Sequence, residues 1–460
     1  MHAKDVLSAL WREAEMPVSA LDAVELTGSD PILPSSFAVG TAAQASIAAS
    51  ALAAAEIGPL RGGPRQRVAV DMRHAAAEFR SERYIKLDGK PPGDPWDPIA
   101  GTYRCGDGGW VRLHTNFPHH RDGVLRLLRC DHDRAAVSRA LQDWTAEAVE
   151  NALAAAGLVG SRLRGFAEWD AHPHAQALAA QPVVSIEKIG DAPPRPLLAS
   201  ARPLDGLRVL DMTRVIAGPV CGRTLAAHGA EVLLITAPHL PSTLEQDTGR
   251  GKLSAQLDLR DPAAREILAG LLREAHIFVQ GYRPGGLQAL GFGPEQAATL
   301  RPGIVCVSLS AYGHLGPWAA RRGFDSLVQT ATGFNAAEAE AAGIAEPKPL
   351  PAQALDHGSG YLMAFGALAA QRRQVTEGGS WLVRVSLART GHWLRSLGRI
   401  ENGLAAPDIS PDAISNLTEE TDSGFGRLTA IRHAGRLSET PPRWSRPCVP
   451  LGTHPPRWPN

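Results

Sequence analysis

The sequence has few of the residues that build disulfide-bonded or zinc-bound proteins. Its five cysteines are dispersed, with no CxxC pair and no cluster with histidine at the spacing of a zinc site. An odd, scattered set of this kind is typical of reduced thiols in a cytosol, most of them small core residues. We therefore expect a cytoplasmic protein that binds no metal.

The chain also has no excess charge and no long apolar run. Lys+Arg 47 balances Asp+Glu 47, and there is no basic tract, which argues against nucleic acid or a membrane surface as a partner. The N-terminus, MHAKDVLSALWREAEM, predicts an amphipathic helix and lacks the apolar core of a signal peptide. Residues 38–55 are rich in Ala, Ser and Gln, so they predict a packed helix rather than a membrane span.

The length of 460 residues predicts two or three domains, and a proline-rich segment at residues 191–206 divides the chain. Beyond it, short apolar segments alternate with helical ones. The predicted strands are residues 207–212, 231–236, 254–259, 277–280 and 304–309. This pattern indicates an α/β fold with a doubly wound parallel sheet, a Rossmann-like domain at residues 201–400. Residues 99–200 predict a second, smaller α+β domain with an exposed turn and strand at 107–117, and residues 401–460 a weakly patterned tail.

Part of the second half is repeated near the start of the chain. Residues 33–72 and 350–387 share, in order, an LP dipeptide, a small-residue turn, an Ala-rich helix with ALAA, a GG turn and a V-x-V strand. The second copy carries Asp356 near its helix start, where the first has Val39 or Gly40. We interpret residues 1–98 as a degenerate copy of the region around Asp356.

Segments that follow the predicted strands are candidates for ligand binding, because the carboxyl ends of parallel strands face one crevice. The turn at residues 216–219 would bring a ligand close to a helix N-terminus. Arg260, Arg283 and Arg322 are placed to surround phosphates, and Tyr282 to stack on an adenine. For each arginine taken singly, a solvated surface position is the more common role.

Asp356 lies in ALDHGSGYLMAFGALAA, at a helix start where aspartate is usually only the N-cap. A nucleophilic carboxylate must stay ionised, be partly desolvated and be open to approach. The helix dipole favours ionisation, and Gly358 and Gly360 are expected to leave open space beside it. Such a group, with water excluded, can attack a thioester to give a mixed anhydride and expel a thiolate.

Together these segments resemble the class III CoA-transferases, the family of formyl-CoA transferase and the carnitine CoA-transferases. The resemblance runs from Pro203 to about Arg399, through PLDGLRVLDMTRVIAGP, LDLRDPAAREIL, YRPGGLQALGF, SLSAYGHLGP, RRGFDSLVQTATG and the Asp356 helix. It implies an enzyme that moves coenzyme A from an acyl-CoA donor to a free carboxylic acid. Coenzyme A is then a substrate moiety, no cofactor is permanently bound, and the protein is a homodimer.

The resemblance also implies roles for particular residues. Asp356 becomes the catalytic nucleophile, which passes through a mixed anhydride and an aspartyl-CoA thioester. The positions implied to contact coenzyme A are Ile216, Ala217, Leu257, Asp258, Leu259, Arg260, Gly281, Tyr282, Arg283 and Arg322. Charged residues that are usual in the family are absent at three positions, which here hold Thr236, Leu253 and Ala289. The phosphate contacts of those charged residues are either lost or supplied by other residues.

The first half resembles the same family in a different order. Residues 33–84 resemble the nucleophile-helix segment, and residues 107–184 the family's smaller domain. GRLSETPPRWSRPCVPLG resembles its C-terminal tail. A permutation or partial duplication would produce this arrangement.

Two other functions remain open from the sequence. The family's α-methylacyl-CoA racemases pair this aspartate with a histidine in a GHD segment, which here reads Gly323-Phe324-Asp325, and His314 and His357 are the nearest alternatives along the chain. Inversion needs a base on each face of the α-carbon. A non-catalytic CoA-binding relative would fit the degenerate copy and the missing arginines, whereas the retained Asp356 argues against it.

Overall fold

The computed structural model describes residues 1–94, 96–240 and 244–459. Its α-helices are α1 (Ala3–Glu13), α2 (Val39–Ile57), α3 (Met72–Glu78), α4 (Pro118–Leu128), α5 (Arg134–Ala140), α6 (Ala146–Ala155), α7 (Phe166–Ala171), α8 (Pro173–Ala179), α9 (Ala217–Ala227), α10 (Glu245–Thr248), α11 (Pro262–Glu274), α12 (Pro294–Leu300), α13 (Asp325–Ala331), α14 (Phe334–Ala342), α15 (Ala354–Glu377) and α16 (Leu387–Ser396). Short 3₁₀ helices occur at Val18–Ala23, Pro59–Arg61, Ser81–Arg83, Leu141–Asp143, Gln288–Leu290, Gly403–Ala405 and Asp412–Leu417.

The β-strands are distributed over the whole chain. They are β1 (Val24–Thr27), β2 (Val68–Asp71), β3 (Lys86–Leu87), β4 (Gly101–Arg104), β5 (Trp110–Leu113), β6 (Gly160–Arg162), β7 (Ser185–Gly190), β8 (Arg208–Met212), β9 (Glu231–Thr236), β10 (Lys252–Gln256), β11 (Ile277–Gln280), β12 (Val305–Ser310), β13 (Ser380–Ser386), β14 (Thr418–Ser423), β15 (Gly426–Ile431) and β16 (Arg436–Leu437).

A seven-stranded sheet forms the centre of the second half, in the order β10-β9-β8-β11-β12-β13-β7. All neighbours are parallel except β7, which runs antiparallel to β13. The predicted mostly parallel α/β sheet is therefore confirmed. The strand order reverses between β8 and β11, so a crevice opens beyond Met212 and Gln280, where such sheets bind ligands.

One predicted strand is displaced. The expected strand at residues 254–259 lies at Lys252–Gln256 instead, because β10 pairs with β9 and β9 ends at Thr236, opposite Gln256. The segment Leu257–Arg260 therefore follows the strand rather than forming its end.

A separate antiparallel sheet, β4-β5-β6, lies in the segment predicted as the smaller unit. Val111 and Leu113 of β5 belong to an apolar cluster of this segment's own residues. The other face of β5 is turned to the second half, where the His114 ring stacks on Phe324 with centroids 4.0 Å apart. The expectation of an exposed strand at 107–117 is wrong for its second part, because this packing buries His114 and Thr115.

The proposed repeat has a structural counterpart in two packed helices, α2 and α15. The residues before them have nearly the same backbone, φ −77° and ψ 57° at Ala38 and φ −75° and ψ 61° at Gln353. Each helix leads into a strand and a further helix, β2–α3 and β13–α16. Asp356 is the third residue of α15, and the third residue of α2 is Thr41, not Val39 or Gly40.

The tail is more regular than its sequence suggests. Strands β14 and β15 form a hairpin that pairs with β3, and β16 pairs with β2. The last residues return to the α/β unit, where the Trp458 indole donates a hydrogen bond to the carbonyl of Leu271. Within the described residues, no helix is both long and apolar enough to cross a membrane.

The glycines after Asp356 serve helix packing, so the expectation that they leave open space beside the carboxylate is wrong. A Cβ at Gly360 would lie 2.6 Å from the carbonyl oxygen of Ala217 and 2.7 Å from Cβ of Val220, both in α9. A Cβ at Gly358 would lie 3.3 Å from Cγ2 of Thr390. Gly360 thus lets α15 approach the start of α9, the helix that follows the ligand-binding crevice.

We expect Gly360→Ala to destabilise the protein by about 1–3 kcal/mol, because the added methyl group overlaps α9 backbone. The control is Gly270→Ala in α11, where an added Cβ would have no heavy atom within 4 Å. This control substitution should stabilise the protein by about 0.5–1 kcal/mol, because alanine is favoured over glycine in a helix. Urea unfolding of both variants measures the difference. Equal stability of the two variants would contradict the packing role of Gly360.

Candidate functional site

Asp356 lies in the first turn of α15, 8% exposed, where two cavities meet. The arginine cavity, about 530 Å³, lies beyond the carboxyl ends of the central strands and includes Arg214, Arg283, Arg321 and Arg322 in its lining. The β5 cavity, about 750 Å³, lies against Arg112 and His114. Val215, Phe324 and Asp356 line both cavities, so Asp356 stands at the boundary between them.

A second buried aspartate, Asp325, holds the start of α15. Its Oδ2 accepts hydrogen bonds from the backbone N–H groups of Leu355 and Asp356, at 2.8 and 2.9 Å. The Gln329 side chain donates to Oδ1 of the same carboxylate. Asp325 therefore takes up N–H groups that would otherwise stabilise a charge on Asp356.

The electrostatic environment of Asp356 opposes ionisation. Burial raises its pKa well above the ordinary range, and the charges of Asp325 and Glu82 raise it further. Burial also raises the pKa of Asp325, to about 6. The hydrogen bonds that it accepts from Asp356 N–H, Gln329 and Leu355 N–H act in the opposite direction and lower this pKa. Burial and the charges of Asp325 and Glu82 therefore act against the ionisation of Asp356 that the helix dipole is expected to favour.

We expect Asp325→Asn to move the acid limb of the pH–rate profile to lower pH. Removing the negative charge lowers the pKa of Asp356, so more of this carboxyl group is ionised at a given acidic pH. The asparagine oxygen can still accept from the α15 N–H groups. The measurement is kcat/KM against pH for the acyl-CoA reaction that the resemblance implies, with Glu82→Gln as a comparison that should shift the profile less. An upward shift would contradict this assignment.

Glu82 comes from the N-terminal segment, just after α3. Its Oε2 lies 3.0 Å from Nε2 of His357, whose ring stacks on Phe79 at 5.6 Å. His357 is fully buried there and lines neither cavity. Residues 1–98 therefore contribute directly to the surroundings of Asp356, which the sequence did not indicate.

The arginine cavity is crowded with positive charge. Burial is the largest cause that lowers the pKa of Arg322, and the nearby positive charges of Arg283 and Arg214 lower it further. The Arg214 guanidinium lies 6.0 Å from the centre of the Tyr282 ring. Asp356 is the only acidic residue among the described lining residues. Cations held this close are typical of a site for a multiply charged anion.

Most of the predicted binding residues lie at these cavities. Ala217, Gly281, Tyr282, Arg283 and Arg322 line the arginine cavity, and Ile216 lines the β5 cavity. Val215, between them, has φ 73°, a left-handed conformation that is strained for a β-branched residue and often marks a functional turn.

The segment Leu257–Arg260 lies outside both described linings. Leu257 is buried in the apolar core, and the Arg260 guanidinium, 70% exposed, is paired with Asp258 at 2.6 Å. Asp258 in turn lies 3.8 Å from His239, which does line the arginine cavity. This segment is thus adjacent to the cavity rather than part of its wall.

Sequence reasoning missed several lining residues. Arg214 follows β8 directly, and its position after a strand was a signal that could have been used. His114, His119 and His120 belong to HTNFPHH, a histidine-rich segment that runs from the end of β5 into the first turn of α4. Burial, first of all, lowers the pKa of His114 and of His120 to about 3, so both imidazoles are neutral.

The fold and site together define a class of protein. A Rossmann-like sheet carries a cationic cavity at its topological switch point, and a buried carboxyl group separates that cavity from a second one. Such an arrangement suits an anionic, nucleotide-like ligand whose reactive end reaches an acid.

Comparison with known sequences shows which proteins the second half is similar to. Residues 204–406 match CoA-transferase family III. Acetyl-coenzyme A transferase nodX of Hypoxylon pulicicidum is 35% identical over 204 residues, 43% of this chain and 34% of that protein. Succinyl-CoA–D-citramalate CoA-transferase of Chloroflexus aurantiacus is 27% identical over 278 residues, 52% of this chain and 67% of that protein.

One solved structure, of the hypothetical protein Rv3272 from Mycobacterium tuberculosis, is 32% identical with a TM-score of 0.40. The match covers 43% of this chain and 58% of that one. The chain thus spans between about one third and two thirds of these matched proteins.

Proposed function

We propose that the protein transfers coenzyme A from an acyl-CoA to a free carboxylic acid, with Asp356 as the nucleophile. The observation that carries this proposal is the position of Asp356, at the boundary between the arginine cavity and the β5 cavity. The CoA moiety occupies the arginine cavity, where Arg214, Arg283 and Arg322 face its phosphates. The acyl group or the acceptor acid occupies the β5 cavity.

The reaction follows from this placement. An oxygen of ionised Asp356 attacks the thioester carbonyl, the C–S bond breaks, and CoA leaves as a thiolate, giving a mixed anhydride. The thiolate then attacks the aspartyl carbonyl, which releases the donor acid and leaves an aspartyl-CoA thioester. The acceptor carboxylate attacks that carbonyl, the C–S bond breaks, and CoA leaves as a thiolate, giving a second mixed anhydride between Asp356 and the acceptor. The thiolate finally attacks the acceptor acyl carbon, and the carboxylate of Asp356 leaves, which restores the enzyme.

The raised pKa of Asp356 fits this sequence of steps. A desolvated carboxylate is a stronger nucleophile than a solvated one, and a buried site excludes the water that would hydrolyse the anhydride. When the carboxylate becomes an anhydride or thioester its charge is lost, which relieves the repulsion with Asp325 and Glu82. Like-charge crowding thus favours the covalent intermediates over the ionised carboxylate that forms them.

The names of the matched relatives agree with this chemistry, since several are CoA-transferases acting between thioesters and acids. We further propose a homodimer and a cytoplasmic location, as the resemblance and the scattered thiols suggest. The elution volume of the purified protein in size-exclusion chromatography tests whether it is a homodimer.

The experiment that tests the proposed function is CoA exchange. Purified protein is incubated with a panel of acyl-CoA donors and free carboxylic acids, and new acyl-CoA is detected by mass spectrometry. Formation of the acceptor's CoA thioester, with equal loss of donor, supports the proposal. Tight CoA binding without exchange for any pair would instead indicate a non-catalytic binding protein.

The same incubation in deuterated water tests the racemase alternative. Of the histidines nearest in sequence, His357 is buried against Glu82, and His314 lines neither cavity beside Asp356. His114 stacks on Phe324, but an imidazole with a pKa of about 3 is a weak base for an α-proton. Deuterium uptake at the α-carbon without exchange of CoA would favour the racemase.

A further inference from the structure

We propose that the β5 cavity receives a bulky aromatic acyl group, packed against a wall of four rings that begins at the boundary with the arginine cavity. This inference rests on the proposed function and names its substrate class. The rings belong to Trp96, His114, Phe117 and Phe324, here called the aromatic wall, and all four line the β5 cavity. Three of them come from residues 96–117, outside the segment that matches CoA-transferase family III.

The four rings of the aromatic wall contact one another. The His114 ring stacks on Phe324, with centroids 4.0 Å apart and planes inclined by 23°. Phe117 also stacks on Phe324, at 5.7 Å, and Trp96 meets His114 nearly at a right angle, at 5.8 Å. Stacked and edge-to-face pairs of this kind are favourable and hold rings in defined positions. Because aromatic residues make up only 5% of the chain, this wall is a local concentration of them.

The rings differ in how much surface they offer to a ligand. Trp96 is 39% exposed, so a large part of its indole is open, and Phe324 is half-buried. His114 and Phe117 are nearly buried and support these two rings. Burial lowers the pKa of His114 to about 3, so this support is uncharged. Phe324 lines both cavities, which places the inner end of the wall at the same boundary as Asp356.

The charges along the β5 cavity favour an acyl group without a charge of its own. Acidic residues outnumber basic ones among the described lining residues. The acids are Glu82, Asp94, Glu245, Asp325 and Asp356. The cations are Arg83 and Arg112. A substituent with a second carboxylate would add to this negative charge, whereas a hydrocarbon ring meets no such repulsion.

Protein groups already pair with most of these acids. Oε2 of Glu82 lies 3.0 Å from Nε2 of His357, and Asp94 accepts a hydrogen bond from the backbone N–H of Trp96, at 3.0 Å. Asp325 accepts hydrogen bonds from the N–H groups at the start of α15. A cationic substituent is therefore not required to balance the cavity, and the aromatic wall is the surface left for the acyl group.

The volume of the β5 cavity also favours a bulky group. At about 750 Å³ it lies in the range of cavities that bury drug-sized ligands. A short acyl group such as acetyl would leave most of this volume to water. A phenyl ring instead covers apolar surface of the wall and removes that surface from water, which is favourable.

The test compares acyl-CoA thioesters that differ in the group beyond the carbonyl. 3-Phenylpropanoyl-CoA is compared with 3-cyclohexylpropanoyl-CoA, butyryl-CoA and succinyl-CoA. The measured quantity is kcat/KM for CoA release in the presence of hydroxylamine, divided by the uncatalysed rate for the same thioester. We expect the phenyl thioester to exceed the cyclohexyl thioester about 3–10-fold and butyryl-CoA about 10-fold or more, with succinyl-CoA the slowest.

Variants of the two open rings test the aromatic wall itself. Trp96→Leu and Phe324→Leu should each reduce the ratio of the phenyl to the cyclohexyl value about threefold or more. The matched control is Trp110→Leu, which should keep the ratio, because Trp110 shares a face of β5 with His114 but lies outside both described linings. Partial misfolding removes active enzyme for both thioesters equally and leaves the ratio unchanged. A wild type that favours the cyclohexyl, butyryl or succinyl thioester, or an unchanged ratio in both wall variants, would overturn the inference.

Failure of the proposed function is seen separately. If no thioester reacts with the wild type, two uncharged probes, 3-phenylpropanamide and 3-cyclohexylpropanamide, are titrated into it by calorimetry. Tighter binding of the phenyl amide that is lost in Trp96→Leu supports the aromatic wall as a ligand surface. Equal binding of the two amides, or no binding of either, refutes it.

Discussion

Asp356→Asn should lower kcat/KM for CoA transfer by roughly 10⁴-fold or more, while the Kd for coenzyme A changes little. The amide cannot form an anhydride, but it occupies the same space in the first turn of α15. The arginine cavity, which holds CoA in the proposed mechanism, is left intact. Rates are measured with the best donor and acceptor, and Kd by calorimetry with free CoA.

A matched control separates the nucleophile from a helix cap. Asp261 caps α11 through a hydrogen bond from Ala263 N–H and belongs to neither described cavity lining, so Asp261→Asn should keep normal rates. Transfer by Asp356→Asn at more than about one tenth of the wild-type rate would contradict a covalent role.

The same substitution should make the protein more stable at neutral pH. The pKa of Asp356 is higher in the folded protein than in the unfolded chain. Above about pH 4, the pKa of an unfolded aspartate, the unfolded chain loses this proton more readily, so the free energy of unfolding falls as the pH rises. An asparagine at this position has no proton to lose, so its variant is free of this effect. We expect its Tm to exceed that of the wild type at pH 7 and the two to converge near pH 4. A lower Tm at pH 7 would instead assign Asp356 a stabilising role.

The second large effect concerns the arginines. Arg283→Gln and Arg322→Gln should each raise the Kd for coenzyme A by about 10–100-fold, because each removes a charged hydrogen bond to a phosphate. The slope of log Kd against log salt concentration should become shallower as well. Calorimetry at several salt concentrations measures both quantities.

Two comparisons sharpen this test. Arg260→Gln should change Kd by less than about threefold, since its guanidinium is exposed and already paired with Asp258. Arg265→Gln should have no effect, since this half-buried residue of α11 belongs to neither described cavity lining. If Arg260→Gln weakens binding as much as Arg322→Gln does, CoA extends along the segment after β10 and the site is larger than the described cavity.

The sheet was predictable because its signal is local. Short apolar strands alternating with helices indicate a doubly wound fold, and the order of β8 to β13 confirms it. The extent of β10 was not predictable, because the length of its partner β9 fixes where it stops. The tail hairpin was missed for a related reason, since β15 is held by β3 of the first hundred residues.

The site was predictable where residues follow strands and unpredictable where distant segments meet. Tyr282, Arg283 and Arg322 lie at the arginine cavity as expected. Glu82 and Arg112 come from segments far from Asp356 in the chain, so no local pattern connects them to it. The surroundings of Asp356 were not predictable, because Asp325, thirty-one residues earlier, accepts hydrogen bonds from the N–H groups at the start of its helix.

The glycines near Asp356 show how one motif can have two explanations. Glycine beside a carboxylate is compatible with open space for a substrate, and equally with close helix packing. Only the position of α9 distinguishes them, and Gly360 lies against Ala217 and Val220. This contact joins α15, the helix of Asp356, directly to the turn beside the arginine cavity.

The most direct test of the account is to trap the enzyme-bound intermediate. The wild type is incubated with an acyl-CoA that supports transfer, quenched with hydroxylamine and digested for peptide mass spectrometry. We predict a hydroxamate on Asp356 that depends on the acyl-CoA, and none in Asp356→Asn. A hydroxamate on another residue, or continued transfer with Asp356 unmodified, would contradict the central role of this carboxylate.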